Sequence, residues 1–140
     1  MTMKKVLFLC TGNSCRSQLA EAMVNAKFGD EWQAFSAGTK PAGYVHPMAI
    51  QVLAELGIQH QGKSKLADEF RSMDFDRVVT VCDSAAEECP MWLGKGKRLH
   101  HSFPDPAVQN NIEEFRAIRD EIIRELPNLL STHPMEENNG

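Results

Sequence analysis

No apolar run in this chain approaches the roughly 20 residues that a membrane-crossing helix requires. The stretch after Met1-Thr2-Met3-Lys4-Lys5 is only Val6-Leu7-Phe8-Leu9, shorter than the core of a secretory leader. Excess positive charge is also missing. The 15 Lys and Arg are outnumbered by 19 Asp and Glu, for a net charge of −4, so nothing electrostatic favours nucleic acid or an anionic membrane surface as a partner. Tyrosine occurs once, at Tyr44, and cysteine only four times. Four thiols in a chain with no leader fit a cytoplasmic protein, where cysteines are kept reduced and serve as nucleophiles or metal ligands rather than staples. No exposed heptad or apolar stripe calls for a second copy, so a monomer is expected. What remains is an ordinary globular composition, 42% hydrophobic and 24% charged over 140 residues. That is enough for one domain with its own core.

The pattern along the chain alternates strand and helix. Residues 6–9 form a continuous apolar run of the kind buried in a parallel sheet. Leu19, Met23 and Ala26 recur at helical spacing, which predicts a helix from Arg16 to just before Gly29. Residues 32–36 read as a second strand closed by Gly38. Pro47 suits the first turn of another helix, with Ile50, Leu53 and Ala54 facing inward and Gly57 as its stop. The β-branched run at residues 77–81 is a central strand, and residues 99–103 a weaker one. Asn111-Ile112-Glu113-Glu114 has the form of a capping box. It opens a helix with Phe115, Ile118, Ile122 and Leu126 on one face, which Pro127 is expected to kink or shorten. The domain is expected to span residues 1–132, with a polar, frayed tail at 133–140. This order predicts a single α/β domain with a four-stranded parallel sheet and helices on both faces. In such sheets ligands sit beyond the carboxyl ends of the strands, which places Cys10 and Cys82 on the same edge.

Cys10-Thr11-Gly12-Asn13-Ser14-Cys15-Arg16-Ser17 joins the first strand to the first helix. Gly12 and Asn13 tolerate left-handed backbone angles, so the loop can curl its N–H groups inward as an anion nest. The helix that follows supplies orphan donors and a favourable dipole. Arg16 offers a fork matched to a tetrahedral oxyanion, and Ser17 a hydroxyl donor to the Cys10 sulfur. This environment is expected to depress the Cys10 pKa and make it a nucleophile. Cys15 either reaches the bound anion or serves as a small buried hydrophobe. Cys82 and Cys89 bracket a polar segment and read as a redox pair, since Cys-x6-Cys lacks zinc-ligand spacing. If residues 82–89 are helical, the two sulfurs share a face about 10 Å apart along the axis. A disulfide needs Cα atoms within roughly 4.4–6.8 Å, so the segment must unwind to close the bond. Its Asp, Ser and Glu content, ending at Pro90, suits a marginal helix. Trp92 is expected to pack beneath it.

The loop from Cys10 to Ser17 resembles the signature loop of the low-molecular-weight protein tyrosine phosphatase family, and Asp105-Pro106 resembles that family's general-acid loop. The likeness extends over roughly residues 4–130. The segment Val81-Cys82-Asp83-Ser84-Ala85-Ala86-Glu87-Glu88-Cys89-Pro90 is similar to the redox segment of the family's thioredoxin-linked arsenate reductases. That resemblance implies a three-cysteine relay. Cys10 attacks arsenate while Asp105 protonates the leaving oxygen. Cys82 then releases arsenite by forming a disulfide with Cys10, and Cys89 draws the disulfide to Cys82–Cys89 for reduction by thioredoxin or, less favourably, glutaredoxin. Ala107 and Val108 stand where the family's phosphatases usually carry aromatic residues around the substrate ring. The alternative is a tyrosine phosphatase of this family with an oxidisable cysteine pair. A non-catalytic anion-binding or redox-sensing protein is a third reading.

Asn13, Glu21 and Ser36 match positions that line a potassium site in some arsenate reductases. The fourth ligand there is usually an aspartate, and here Lys65 stands in its place. Its ammonium would repel potassium and could take over its charge. Otherwise Glu21 and Lys65 are solvated helix-face charges. No bound metal and no cofactor are expected. His100 and His101 end a strand before Asp105, where one of them could approach the site. His46, His60 and His133 show no partner in the sequence. Lys95-Gly96-Lys97-Arg98 reads as a solvated basic turn, with docking of an acidic partner as the other reading.

Overall fold

Strand β1, Lys4–Cys10, is the centre of the molecule. Val6, Leu7, Phe8 and Leu9 are all fully buried. Consecutive strand residues point to opposite faces, so four buried in a row mean that both faces of the sheet are covered. The computed structural model describes residues 3–70, 72–82 and 97–131. Within them the order is β1, α1 (Arg16–Lys27), β2 (Trp32–Gly38), α2 (Pro47–Ala54), a 3₁₀ turn at Ala67–Phe70, β3 (Arg77–Thr80), β4 (Lys97–His100) and α3 (Ile112–Leu129). The expected single α/β domain is found, with one four-stranded sheet in the order β2-β1-β3-β4 and every pairing parallel. Among the described residues no helix is long and apolar enough to cross a membrane.

The chain leaves β1 for β2 on one side and then returns to place β3 on the other. The crevice between diverging connections therefore opens at the carboxyl ends of β1 and β3, the switch point where ligands bind in such sheets. The register pairs Cys10 with Gly38 and Leu9 with Thr80. Val81 N–H donates to the Leu9 carbonyl at 2.8 Å and carries the pairing one step beyond β3. Cys82 follows directly, at the edge where β1 ends in Cys10.

Helices α1, α2 and α3 pack on one another. Two arginines of α3 clamp α2: Arg116 pairs with Glu55 at 2.8 Å, and Arg119 donates to both Glu55 and the Val52 carbonyl. Asn111 caps α3, its Oδ1 accepting from Glu114 N–H at 2.9 Å. This satisfies one of the helix's orphan donors. At the other end the buried Arg77 guanidinium donates to the Leu129 carbonyl, where the helix dipole is negative. Lys4 and Arg77 both place their charges over the Trp32 ring. Phe35, Phe70 and Phe75 form an edge-to-face cluster under the 3₁₀ turn.

Several boundaries differ from expectation. The inner face of α2 is Ala49, Val52 and Leu53; Ile50 is half-buried and Ala54 exposed. The helix is so short that its apolar face is set by what α3 covers. β4 lies at Lys97–His100 rather than 99–103, so Lys97 and Arg98 start a strand and do not form a turn. Phe103 is fully buried beyond the strand, with its N–H on the Val81 carbonyl. Pro127 does not stop α3, which runs to Leu129. It stands in the last turn, where a missing donor costs one hydrogen bond, and Leu130 N–H still reaches the Leu126 carbonyl. Residues 83–96 and 132–140 lie outside the described residues. With them go the helix expected at 82–89, Cys89, Trp92, His133 and the tail.

Candidate active site

The loop after β1 is shaped by what holds its carbonyl groups. Those of Cys10, Thr11, Gly12 and Ser14 accept from the N–H groups of Thr39, Lys40, Ala42 and His46 at 2.8–3.2 Å, and the Ser64 hydroxyl also donates to Gly12. In a trans peptide the N–H points opposite to the C=O. Anchoring these carbonyls on residues 39–46 therefore turns the N–H groups of Thr11, Gly12, Asn13 and Cys15 to the other side. Asn13 N–H lands on Cys10 Sγ at 3.2 Å, as this requires. The left-handed residue is Asn13, at φ 50°, whereas Gly12 does not adopt such an angle. Gly38 is the glycine this loop needs, because a Cβ there would overlap the Thr11 carbonyl oxygen.

Residues 10–16, Asp105 and Ala107 line a cavity of about 230 Å³. Cys10 is buried at its base, with Ser17 Oγ 2.8 Å from the sulfur. The direction of that bond follows from its neighbours. Lys65 N–H can only donate, and it meets Asn13 Oδ1 at 2.7 Å. Asn13 Nδ2 must then face Ser17 Oγ at 2.8 Å and Ser36 Oγ at 2.9 Å. Each hydroxyl accepts from Asn13, which leaves its own proton to donate onward. Ser17 donates to Cys10 Sγ, and Ser36 to Glu21 Oε1 at 2.5 Å.

The expected low pKa of Cys10 is not found. Burial pushes the thiol up and outweighs the Ser17 hydroxyl and the Ser17 and Asn13 N–H groups, which pull it down. Arg16 does not relieve it. Its Nη1 donates to the Phe103 carbonyl at 3.0 Å, and Nη2 lies 3.8 Å from Asp105 Oδ2. Its Nε is buried with no partner among the described residues, a donor that an entering oxyanion can use. Asp105 is held by Ala107 N–H on Oδ1 at 2.9 Å and keeps Oδ2 toward Arg16. Cys15 is 5% exposed beside the cavity, and burial pushes its pKa up to about 11. Cys82 is buried, with its sulfur 3.4 Å from Thr11 Oγ1, and its charge would raise the Cys10 pKa further. The structure thus gathers Cys10–Arg16, Ser17, Cys82 and Asp105 at one sheet edge.

Residues 5–139 match the family described as low molecular weight phosphotyrosine protein phosphatase. The chain belongs to that family. It is 41% identical to the arsenate reductase of Bacillus subtilis strain 168 over 94% of this chain and 99% of that one. It is 42% identical to an arsenate reductase of Staphylococcus epidermidis, covering 87% and 92% of the two chains. Among solved structures, an arsenate reductase in its phosphate-binding state superposes with a TM-score of 0.80 at 32% identity, covering 91% and 96%. The low molecular weight protein tyrosine phosphatase from T. tengcongensis gives 0.74 at 27%, covering 85% and 92%.

Where the phosphatases of the family are expected to carry aromatic walls, this member has Ala107 at the cavity and an exposed Val108. Tyr44 is 55% exposed. Glu21 and Lys65 are not solvated helix-face charges: their side chains are 17% and 20% exposed and 3.7 Å apart. The Lys65 ammonium faces Glu21 and donates to the Lys63 carbonyl, while the Lys65 backbone N–H meets Asn13 Oδ1. His100 bonds Thr80 Oγ1, and His101 stacks on Phe103, so the structure gives both strand-end roles. His46 is not partnerless. Its Nδ1 caps α2 at Met48 N–H, and its ring packs on Phe115 at 4.6 Å. Gln18 and His60 were not legible as parts of the site. Gln18 carries no motif, and His60 lies 42 residues away from it.

Proposed function

We propose that this protein reduces arsenate to arsenite, passing electrons from thioredoxin through Cys89, Cys82 and Cys10. The observation that carries this reading is the meeting of two buried thiols at one sheet edge. Cys10 lies at the base of an anion-sized cavity, and Cys82 touches Thr11 of the same loop. Relatives named arsenate reductase at 41% identity support it, as does a cavity bordered by Ala107 and, among the described residues, by no aromatic ring.

In the first step the Cys10 thiolate attacks arsenic(V) held by the N–H groups of residues 11–17 and the Arg16 guanidinium. An S–As bond forms, an As–O bond breaks, and Asp105 protonates the departing oxygen so that it leaves as water. The Cys82 thiolate then attacks Cys10 Sγ. The S–S bond forms, the electron pair of the S–As bond stays on arsenic, and arsenite leaves as arsenic(III). Cys89 attacks Cys82, expelling Cys10 as a thiolate and leaving a Cys82–Cys89 disulfide. The dithiol of thioredoxin reduces this bond and is itself oxidised. The same reading has a monomer in the cytoplasm, with its domain at residues 1–132.

The test is reductant dependence. With thioredoxin, its reductase and NADPH, one NADPH is consumed per arsenite formed, and omitting thioredoxin stops turnover. Glutaredoxin is expected to substitute poorly. Hydrolysis of an aryl phosphate at full rate without reductant, and no arsenite with it, would favour the phosphatase reading instead.

A further inference from the structure

Asn13 is the keystone of the nucleophile loop. It spends its backbone N–H on Cys10 Sγ and its side-chain amide on Ser17 and Ser36, while sitting at a positive φ. Few L residues adopt that conformation, and asparagine is one that tolerates it; a partner outside the loop holds it here. The holder is Gln18, itself fully buried. Its Nε2 donates to Asn13 O and Asn13 Oδ1 at 3.1 Å and to the Lys63 carbonyl at 2.7 Å. All three are acceptors, which fixes the nitrogen on that side and turns Oε1 the other way. There it meets His60 Nε2 at 2.7 Å.

We propose that His60 is a positioning residue for the nucleophile, its Nε2–H orienting Gln18 so that Gln18 holds Asn13 and Asn13 holds the donors on Cys10. The ring sits on the wall of a second cavity of about 420 Å³ between α1 and the chain after α2, lined also by Ala22, Asn25 and Ile58. Gly62 admits the ring, because a Cβ at that position would overlap His60 Nε2 and crowd Gln18 Oε1. Since Gln18 presents only an oxygen, the imidazole must carry its proton on Nε2 when neutral. Burial lowers the His60 pKa and keeps it neutral near pH 7, with Glu21 and Lys65 as the opposing charges that face it. Protonation at acid pH adds a proton at Nδ1 and leaves the Nε2–H bond in place. His60 therefore acts by geometry across the pH range and is not a switch. The chain runs from one wall of the molecule to the sulfur through His60, Gln18, Asn13 and Ser17.

The inference rests on Cys10 being the nucleophile of the proposed reaction, but its test needs no arsenate. The alkylation rate of Cys10 by iodoacetamide, followed peptide by peptide across pH, reads the thiolate directly. His60→Phe keeps the ring's bulk and removes the donor. It is expected to raise the apparent Cys10 pKa by about half to one unit, roughly three- to tenfold slower alkylation at a fixed pH below that pKa. His60→Gln returns an N–H donor and is expected to recover most of the difference. If His60→Phe does not fold, His60→Ala serves with the same expectation. A Cys10 profile unchanged by loss of the donor, or one shifted equally by His60→Gln, would overturn the proposal. Loss of arsenate turnover with normal Cys10 alkylation in the parent protein would instead count against the reductase reading alone.

Discussion

Single side chains at this site do two jobs, and their surroundings decide which. Cys10 and Cys15 are both buried thiols lining one cavity. Cys10 receives donors from Ser17 and Asn13, whereas Cys15 meets, among the described residues, the Ser14 hydroxyl at 3.6 Å. Its pKa of about 11 against an ordinary 9.0 makes it a small hydrophobe at neutral pH, and it carries a consequence for stability. Between those two values the folded protein keeps a proton that the unfolded chain has released, so stability falls as pH rises through that window. Urea unfolding at pH 8 and pH 10.5 tests this. Cys15→Ala is expected to lose less stability over that interval than the parent, by about 2 kcal/mol. Equal losses would mean that the Cys15 thiol is not held protonated by the fold.

At the scale of elements, α3 fastens α2 through Arg116 and Arg119 and begins at an asparagine cap. Asn111→Ala should cost about 1 kcal/mol in urea unfolding and leave Cys10 alkylation unchanged. A loss of Cys10 reactivity would show that α3 tunes the site as well as supporting it. The cap, the helix from Arg16 and the central strands could all be read from the sequence, because each is written locally, in a capping pattern, a helical period or an apolar run. The inner face of α2 and the position of β4 could not. Both depend on what packs from elsewhere in the chain: Arg119 reaching Val52 in one case, and pairing with β3 in the other. The same distinction holds in the site. Cys10, Arg16 and Ser17 announce themselves in one loop. The anchoring of that loop on residues 39–46, the turning of Arg16 toward Phe103, and the Gln18–His60 support are contacts between distant segments that no local pattern records. The raised Cys10 pKa is of the same kind, since it comes from burial of the thiol by packing from the rest of the chain.

For the whole molecule, sheet topology is what makes a relay possible. A parallel sheet with β1 and β3 adjacent brings two strand ends to one edge. Cys10 and Cys82 meet there although 72 positions separate them in the chain. The anion loop alone would serve hydrolysis as well as reduction; in the proposed reaction a second thiol at the same edge is what attacks Cys10 Sγ and so leaves the electron pair of the S–As bond on arsenic. The most direct test is a single turnover of Cys89→Ser with arsenate, followed by digestion without reductant and mass spectrometry. The account predicts a Cys10–Cys82 disulfide and one equivalent of arsenite per protein. Intact thiols at Cys10 and Cys82 after arsenite is released, or undiminished multiple turnover with thioredoxin, would contradict it.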